Sequence, residues 1–145
     1  MKYLLDTNIV SELKKRQVNM NVAQWFEMVH ESQLYVSAIT IGELRAGAIK
    51  KSKIDKEQGY LLAKWVDNVI DQYSERILNI DLEICEEWAE LLSKDNSNAV
   101  DSLIAAQAIA RNMILVTRNI KHFKMFNVKL LNPFEDQSIN SVDSN

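Results

Sequence analysis

The chain has 145 residues, with 17 Lys and Arg against 20 Asp and Glu for a net charge of −3, and 47% of its residues are hydrophobic. That is the balance of one globular domain able to bury a core without metal or disulfide staples. Three Gly and one Pro exclude collagen-like, linker-rich and Pro-rich disordered chains, and one Cys with two His excludes an internal disulfide or a Cys-based zinc cluster. No apolar stretch approaches membrane-spanning length, so a cytoplasmic protein without membrane contact is expected. A pI of about 5.4 argues against holding nucleic acid by bulk positive charge. It leaves room for a local basic patch around an acidic, metal-filled centre.

Lys2 to Leu5 is a short apolar run that reads as a buried strand, broken by Asp6-Thr7-Asn8 at a helix start. Ile9, Val10 and Leu13 give a short helical stripe that ends in Lys14-Lys15-Arg16. Val22, Trp25, Phe26 and Val29 keep amphipathic helical spacing, with His30 on the polar side and without a role. Leu34-Tyr35-Val36 is a second strand. A helix from Thr40 then carries Glu43, Leu44 and Ala48 toward Lys50-Lys51-Ser52-Lys53. The clearest helix runs from about Asp55 to Tyr73, with Leu61, Leu62, Trp65, Val66, Val69 and Ile70 on one face. Ile77 to Ile80 is a third strand, and Asp81 caps a helix lined by Cys85, Trp88, Ala89 and Leu92. An Ala-rich helix covers about Ala99 to Arg111, Ile114 to Val116 is a fourth strand, and Lys129 to Leu131 is an edge strand. The polar tail from Asp136 is expected to be disordered.

Short apolar strands alternating with helices predict an α/β domain with a short, mostly parallel sheet and helices on both faces. Ligands of such sheets bind beyond the carboxyl ends of the strands. Asp6 directly follows the first strand, and Thr117 and Asn119 follow the fourth. Glu43 is expected in the first turn of the helix after the second strand, so topology alone brings it to the edge that carries Asp6. Asp101 joins them if its helix also starts there. Several carboxylates in one place call for a counter-charge, and oxygen-only ligands favour Mg²⁺ or Mn²⁺ over zinc. The matching chemistry is metal-assisted phosphodiester hydrolysis.

Each acid also has a purely structural reading. Thr40 and Glu43 have capping-box spacing, Asn98 and Asp101 are similarly spaced, and Asp6 or Thr7 can cap the first helix. Trp25, Phe26, Trp65 and Tyr73 read as core, with a groove for a partner helix or a dimer contact as the alternative for part of their stripes. Cys85 reads as a small buried apolar residue.

The same residues carry a resemblance. Tyr3-Leu4-Leu5-Asp6-Thr7-Asn8-Ile9-Val10-Ser11-Glu12-Leu13 resembles the first motif of PIN-domain ribonucleases, particularly the VapC-type and FitB-like toxins. Ser37 to Leu44 resembles their second motif and Asp101 to Ala108 their third. Leu115-Val116-Thr117-Arg118-Asn119 with Phe123 resembles the fourth, and Leu130 to Phe134 the usual close of the chain. The resemblance spans Tyr3 to Phe134, and implies a PIN-like nuclease domain over 1–135 with a tail at 136–145. It further implies a metal-dependent endoribonuclease toxin, usually dimeric and held inactive by a cognate antitoxin. Asp6, Glu43 and Asp101 match the family's catalytic, metal-binding acids. Asn8, Thr117 and Asn119 match supporting positions.

One departure stands out: His122 occupies the place of the family's usual fourth acid, just before Phe123. One carboxylate fewer weakens the site for a second Mg²⁺, while a neutral imidazole is a further ligand for Mn²⁺, or else faces solvent. Removing the three acids from the balance brings the net charge to zero. Arg45, Lys50, Lys51, Lys53, Arg118, Lys121 and Lys124 then become candidates to flank RNA, or remain solvated surface. Arg118, inside the site loop, is the leading phosphate contact. Two rivals stay open. One is a catalytically weak PIN-fold protein that mainly binds antitoxin. The other is a Mg²⁺-dependent phosphatase or receiver, against which stand the missing second acid beside Asp6 and the missing lysine after the fourth strand.

Overall fold

In a computed structural model, which describes residues 1–137, the sheet is built outward from a short, largely buried apolar run near the start of the sequence. Strand β1 (Tyr3–Leu5) lies at the centre, with β2 (Leu34–Ser37) and β3 (Ile77–Leu78) on one side and β4 (Ile114–Val116) and β5 (Leu130–Leu131) on the other. All four pairings are parallel. The helices are α1 (Thr7–Leu13), α2 (Met20–Met28), α3 (Ala38–Ile54), α4 (Lys56–Gln72), α5 (Leu82–Lys94), α6 (Ala99–Ala110) and α7 (Ile120–Phe123). Among the described residues, no helix is long and apolar enough to cross a membrane.

Strand alternation divides the interior into two layers. Leu4 and Leu115 face a core formed with Ile84, Leu91, Ile104, Ala105, Ala108 and Phe123, contributed by α5, α6 and α7. Leu5, Val36 and Val116 face the other, with Ile9, Val10, Trp25, Leu44, Val66, Val69 and Tyr73 from α1 to α4. The expected helices on both faces are therefore present. Because both faces are covered, the inner strands are apolar runs without polar alternation. Leu5 pairs level with Val36 and with Val116, so Asp6, Ser37 and Thr117 emerge together at one edge.

Several sequence expectations shift in register. The helix after β2 begins at Ala38, directly off the strand, with Ser37 as its cap: the Ser37 hydroxyl accepts from the Ile39 N–H at 3.0 Å. Thr40 lies fully buried inside the helix instead of capping it, and Glu43 stands in the second turn, outside any capping box. Of the expected stripe Cys85, Trp88, Ala89 and Leu92, Trp88 does pack, partly buried, against the core, but the fully buried residues of α5 are Ile84 and Leu91, and Cys85 is only partly buried. Leu61 of α4 faces outward. His30 lies beyond α2 and starts the 3₁₀ turn Glu31–Gln33. The third strand stops at Leu78. Trp25 and Tyr73 are core, whereas Phe26 and Trp65 pack only partly buried against it. The expected tail disorder falls, beyond residue 137, outside the described residues.

The α3–α4 hairpin closes unusually tightly. Asp55 ends α3 and caps α4, accepting from the Gln58 N–H, and Arg45 reaches across to Asp67 at 2.6 Å and to the Ala63 carbonyl. Arg45 is thus a tie between helices and not free for nucleic acid. Gly59 sits where a Cβ would lie 2.3 Å from the Ser52 Cα, a backbone atom that cannot step aside. Alanine would gain up to about 1 kcal/mol of helix propensity there, but overpacking costs about 1–3 kcal/mol. Gly59→Ala is accordingly expected to lower the urea midpoint; an unchanged or raised midpoint would show that the helices do not meet so closely.

Candidate active site

The level ends of β1 and β4 set the first acid. Asp6 leaves β1, accepts the Thr7 N–H at 2.9 Å and so caps α1, yet it is 94% buried. A buried carboxylate needs donors on both oxygens. Its Oδ2 takes the Thr117 hydroxyl at 2.8 Å and the Asn8 side-chain amide at 3.2 Å. Thr117 is itself wholly buried, and its Oγ1 accepts the Asn119 N–H at 3.1 Å. The Asn8 Oδ1 accepts the Arg118 N–H at 3.2 Å, locking the loop after β4 onto α1. Thr117 therefore serves the acid directly.

Glu43 is exposed and reaches the same place from α3, held by the Thr7 hydroxyl, which donates to its Oε1 at 2.7 Å. The Thr7 hydroxyl lies 3.2 Å from the Thr40 hydroxyl as well, so Thr40, which does not cap α3, supports this bridge. Asp101, in the first turn of α6, receives the Asn98 side-chain amide at 2.7 Å, while the Asn98 Oδ1 caps the helix through the Asp101 N–H. The assumption that this helix begins at the carboxyl edge of the sheet is met.

Asp6, Glu43 and Asp101 line one open cleft of about 300 Å³, with Thr7, Asn8, Ser11 and Asn119. Ser11, and Thr7 beyond its reading as a possible helix cap, are additions to the site residues expected from sequence. Their signal was the four-residue spacing on α1, which puts both on the face that follows Asp6. None of these lining residues is basic. The cleft's electrostatics show in Asp101, whose carboxyl is pushed above its usual 3.8, first by burial and then by the Asp6 and Glu43 charges, with His122 pulling the other way. His122 is 58% exposed, and its Nδ1 lies 3.6 Å from the Asp101 Oδ2. It lines a neighbouring cleft, together with Arg118, and so stands beside the acid cleft, not in its wall.

Does this donor set suit a metal ion? Its oxygen-only walls and uncompensated negative charge suit a hard divalent cation. Among the described residues, however, no three His, Cys, Asp or Glu side chains are gathered to hold an ion directly. The fit is to an ion that keeps part of its water, as Mg²⁺ does, with Asp6, Glu43 and Asp101 as the residues that would hold it.

The shape and sequence of the chain have parallels. A PIN domain family model matches residues 3–126. The plasmid stability protein StbB of Pseudomonas syringae pv. tomato is 33% identical, over 91% of this chain and 98% of that protein. The VapC ribonuclease Y4jK of Sinorhizobium fredii is 29% identical, over 91% and 97%. The crystal structure of FitAcB from Neisseria gonorrhoeae superposes with a TM-score of 0.82 at 28% identity, covering 92% of this chain and 99% of that one. A toxin–antitoxin complex from Klebsiella pneumoniae gives 0.71 at 26% identity, covering 92% and 99%.

A raised carboxyl pKa means that the folded state is penalised at pH values where Asp101 is ionised, and not below the ordinary value of 3.8. In EDTA at neutral pH, Asp101→Asn should therefore match or exceed the parent in thermal stability, and the difference should vanish as pH falls through that range. A variant less stable at neutral pH would mean that the carboxylate holds the fold together and not that its neighbours repel it.

Proposed function

Because the chain belongs to the PIN-domain family, we propose that it is a ribonuclease toxin of a toxin–antitoxin pair, hydrolysing RNA phosphodiester bonds with a divalent ion at the Asp6–Glu43–Asp101 cleft. The observation that carries this reading is the convergence of three carboxylates, from the end of β1, from α3 and from α6, on one cleft whose lining residues include no cation. A Mg²⁺ or Mn²⁺ ion there supplies activation of water and neutralisation of the phosphate charge.

The protein's own part is positioning. Three donors hold the Asp6 carboxylate from both sides, so it is presented in one orientation without reorganisation. The Thr7 hydroxyl aims Glu43, and the Asn98 amide aims Asp101. Burial and the Asp6 and Glu43 charges disfavour the Asp101 carboxylate, so it gains from a cation nearby. Asn119 lies in the wall and is suited to orient water or a phosphate oxygen. His122, next to Asp101 in place of a carboxylate, offers an imidazole that suits Mn²⁺ better than Mg²⁺.

A cognate antitoxin is the proposed protein partner, supported by the likeness to a toxin–antitoxin complex. Leu61, Leu62 and Trp65 of α4, with Lys14, line an apolar hollow of about 250 Å³ suited to such a chain. We also infer a homodimer that acts in the cytoplasm, where an RNA substrate is met.

The test is cleavage of a labelled single-stranded RNA by antitoxin-free protein in Mg²⁺, Mn²⁺ or EDTA, beside Asp101→Asn prepared identically. Cleavage is expected to need metal, to run faster with Mn²⁺, and to fall in Asp101→Asn by about a hundredfold or more, the size of several kcal/mol of lost charge stabilisation. Parent-level cleavage by Asp101→Asn would remove Asp101 from the mechanism. No cleavage of several RNAs with either metal would favour an antitoxin-binding module whose fourth acid has been lost to His122.

A further inference from the structure

The loop after β4 builds a second cleft of about 340 Å³ that shares Asn119 with the acid cleft. Its charge is of the opposite sign. Arg118, Lys121 and Lys124 line it against a single carboxylate, Glu135, and among the described residues none of the three cations forms an ion pair. Arg118 is also fixed in place. Its guanidinium lies over the Phe134 ring at 4.4 Å, and its backbone N–H is bound to the Asn8 Oδ1. A solvated lysine needs no such seat. An arginine stacked on an aromatic ring keeps its N–H fork directed outward and loses little freedom when an anion arrives.

We propose that this basic cleft is a phosphate subsite that grips the RNA backbone next to the bond lying over the acids. The choice of RNA rests on the nuclease reading; the grip itself rests on the charge and the seating of Arg118. The two clefts divide the work. Acids alone would repel a polyanion, and a cation at the acid cleft neutralises only the phosphate it touches. The flanking phosphate needs its own positive partners, and the shared Asn119 places them one side chain away. By contrast, Lys50, Lys51 and Lys53 lie about 10–15 Å farther along α3 than Glu43 at 1.5 Å per residue, which makes them a control of equal charge.

The experiment measures binding of a labelled single-stranded RNA by fluorescence anisotropy in EDTA, where cleavage is suppressed, over a series of salt concentrations. The parent is compared with Arg118→Gln/Lys121→Gln/Lys124→Gln and with Lys50→Gln/Lys51→Gln/Lys53→Gln, each checked for an unchanged thermal melt; Lys121→Gln/Lys124→Gln, which keeps the stacked Arg118, replaces the first if that one melts early. Three lost phosphate contacts should flatten the slope of log K against log salt by about 2, at about 0.7 per contact for single strands, and weaken binding about tenfold or more at low salt. The control triple should keep the parent slope. Equal losses in both triples, an unchanged slope in the first, or no RNA binding by the parent would each overturn the subsite. Cleavage assays on the same proteins separate the two ideas. A parent that cleaves RNA while the Arg118→Gln/Lys121→Gln/Lys124→Gln protein keeps the parent slope refutes the subsite alone, and a parent that binds through these cations but never cleaves refutes the nuclease alone.

Discussion

A carboxylate buried at the end of the central strand is the constraint around which the rest is arranged. Asp6 cannot be left without donors in that position, and the donors come from three places: the first turn of α1, the Asn8 side chain and the Thr117 hydroxyl at the end of β4. Satisfying it therefore fixes β4 level with β1 and folds the loop after β4 over α1, where the Asn8 Oδ1 holds the Arg118 N–H. The neighbouring hydroxyl, Thr7, extends the arrangement to α3 by holding Glu43. What looks like an ordinary helix cap is the junction of both sheet halves.

That arrangement is favourable for shape and unfavourable for charge. Three acids share one cleft, and Asp101 bears the penalty through burial and the two like charges. Carboxylates so placed gain little from one another, and the proposed cation would offset their mutual repulsion. The contrast with the next cleft is sharp: the same loop turns from Thr117, which supports an acid, to Arg118, which is stacked on Phe134 and faces the basic side. Opposite charges thus adjoin without neutralising each other, because the ring and the backbone contacts hold Arg118 on its own side.

Much of this was legible in the residues. The apolar runs Tyr3–Leu5 and Ile114–Val116 have no polar alternation and announce strands covered on both faces, Asp81 and Asn98 cap helices where local spacing predicts, and the helix expected from about Asp55 begins there. The meeting of Asp6 and Glu43 followed from parallel topology. Less legible were choices between near-equal local options. Ser37 and Thr40 are both good caps, and because α3 starts directly off β2 the role falls to Ser37, while Thr40 meets the Thr7 hydroxyl of α1. In α5, apolar residues at 84, 85, 88, 91 and 92 allow two stripes one residue apart, and packing against α6 selects Ile84 over Cys85. The Thr7–Glu43 bridge joins residues 36 apart in sequence, so no local pattern could display it.

The central claim is that the three acids act together as one seat for a divalent cation. Its most direct test is Mn²⁺ binding followed by electron paramagnetic resonance, on the parent and on Asp6→Asn, Glu43→Gln and Asp101→Asn, each shown to be folded. The account predicts one shared class of site in the parent and a loss of affinity of about tenfold or more in every variant, since each removes a charge from the same ion. Mn²⁺ bound equally by the parent and all three variants would contradict it.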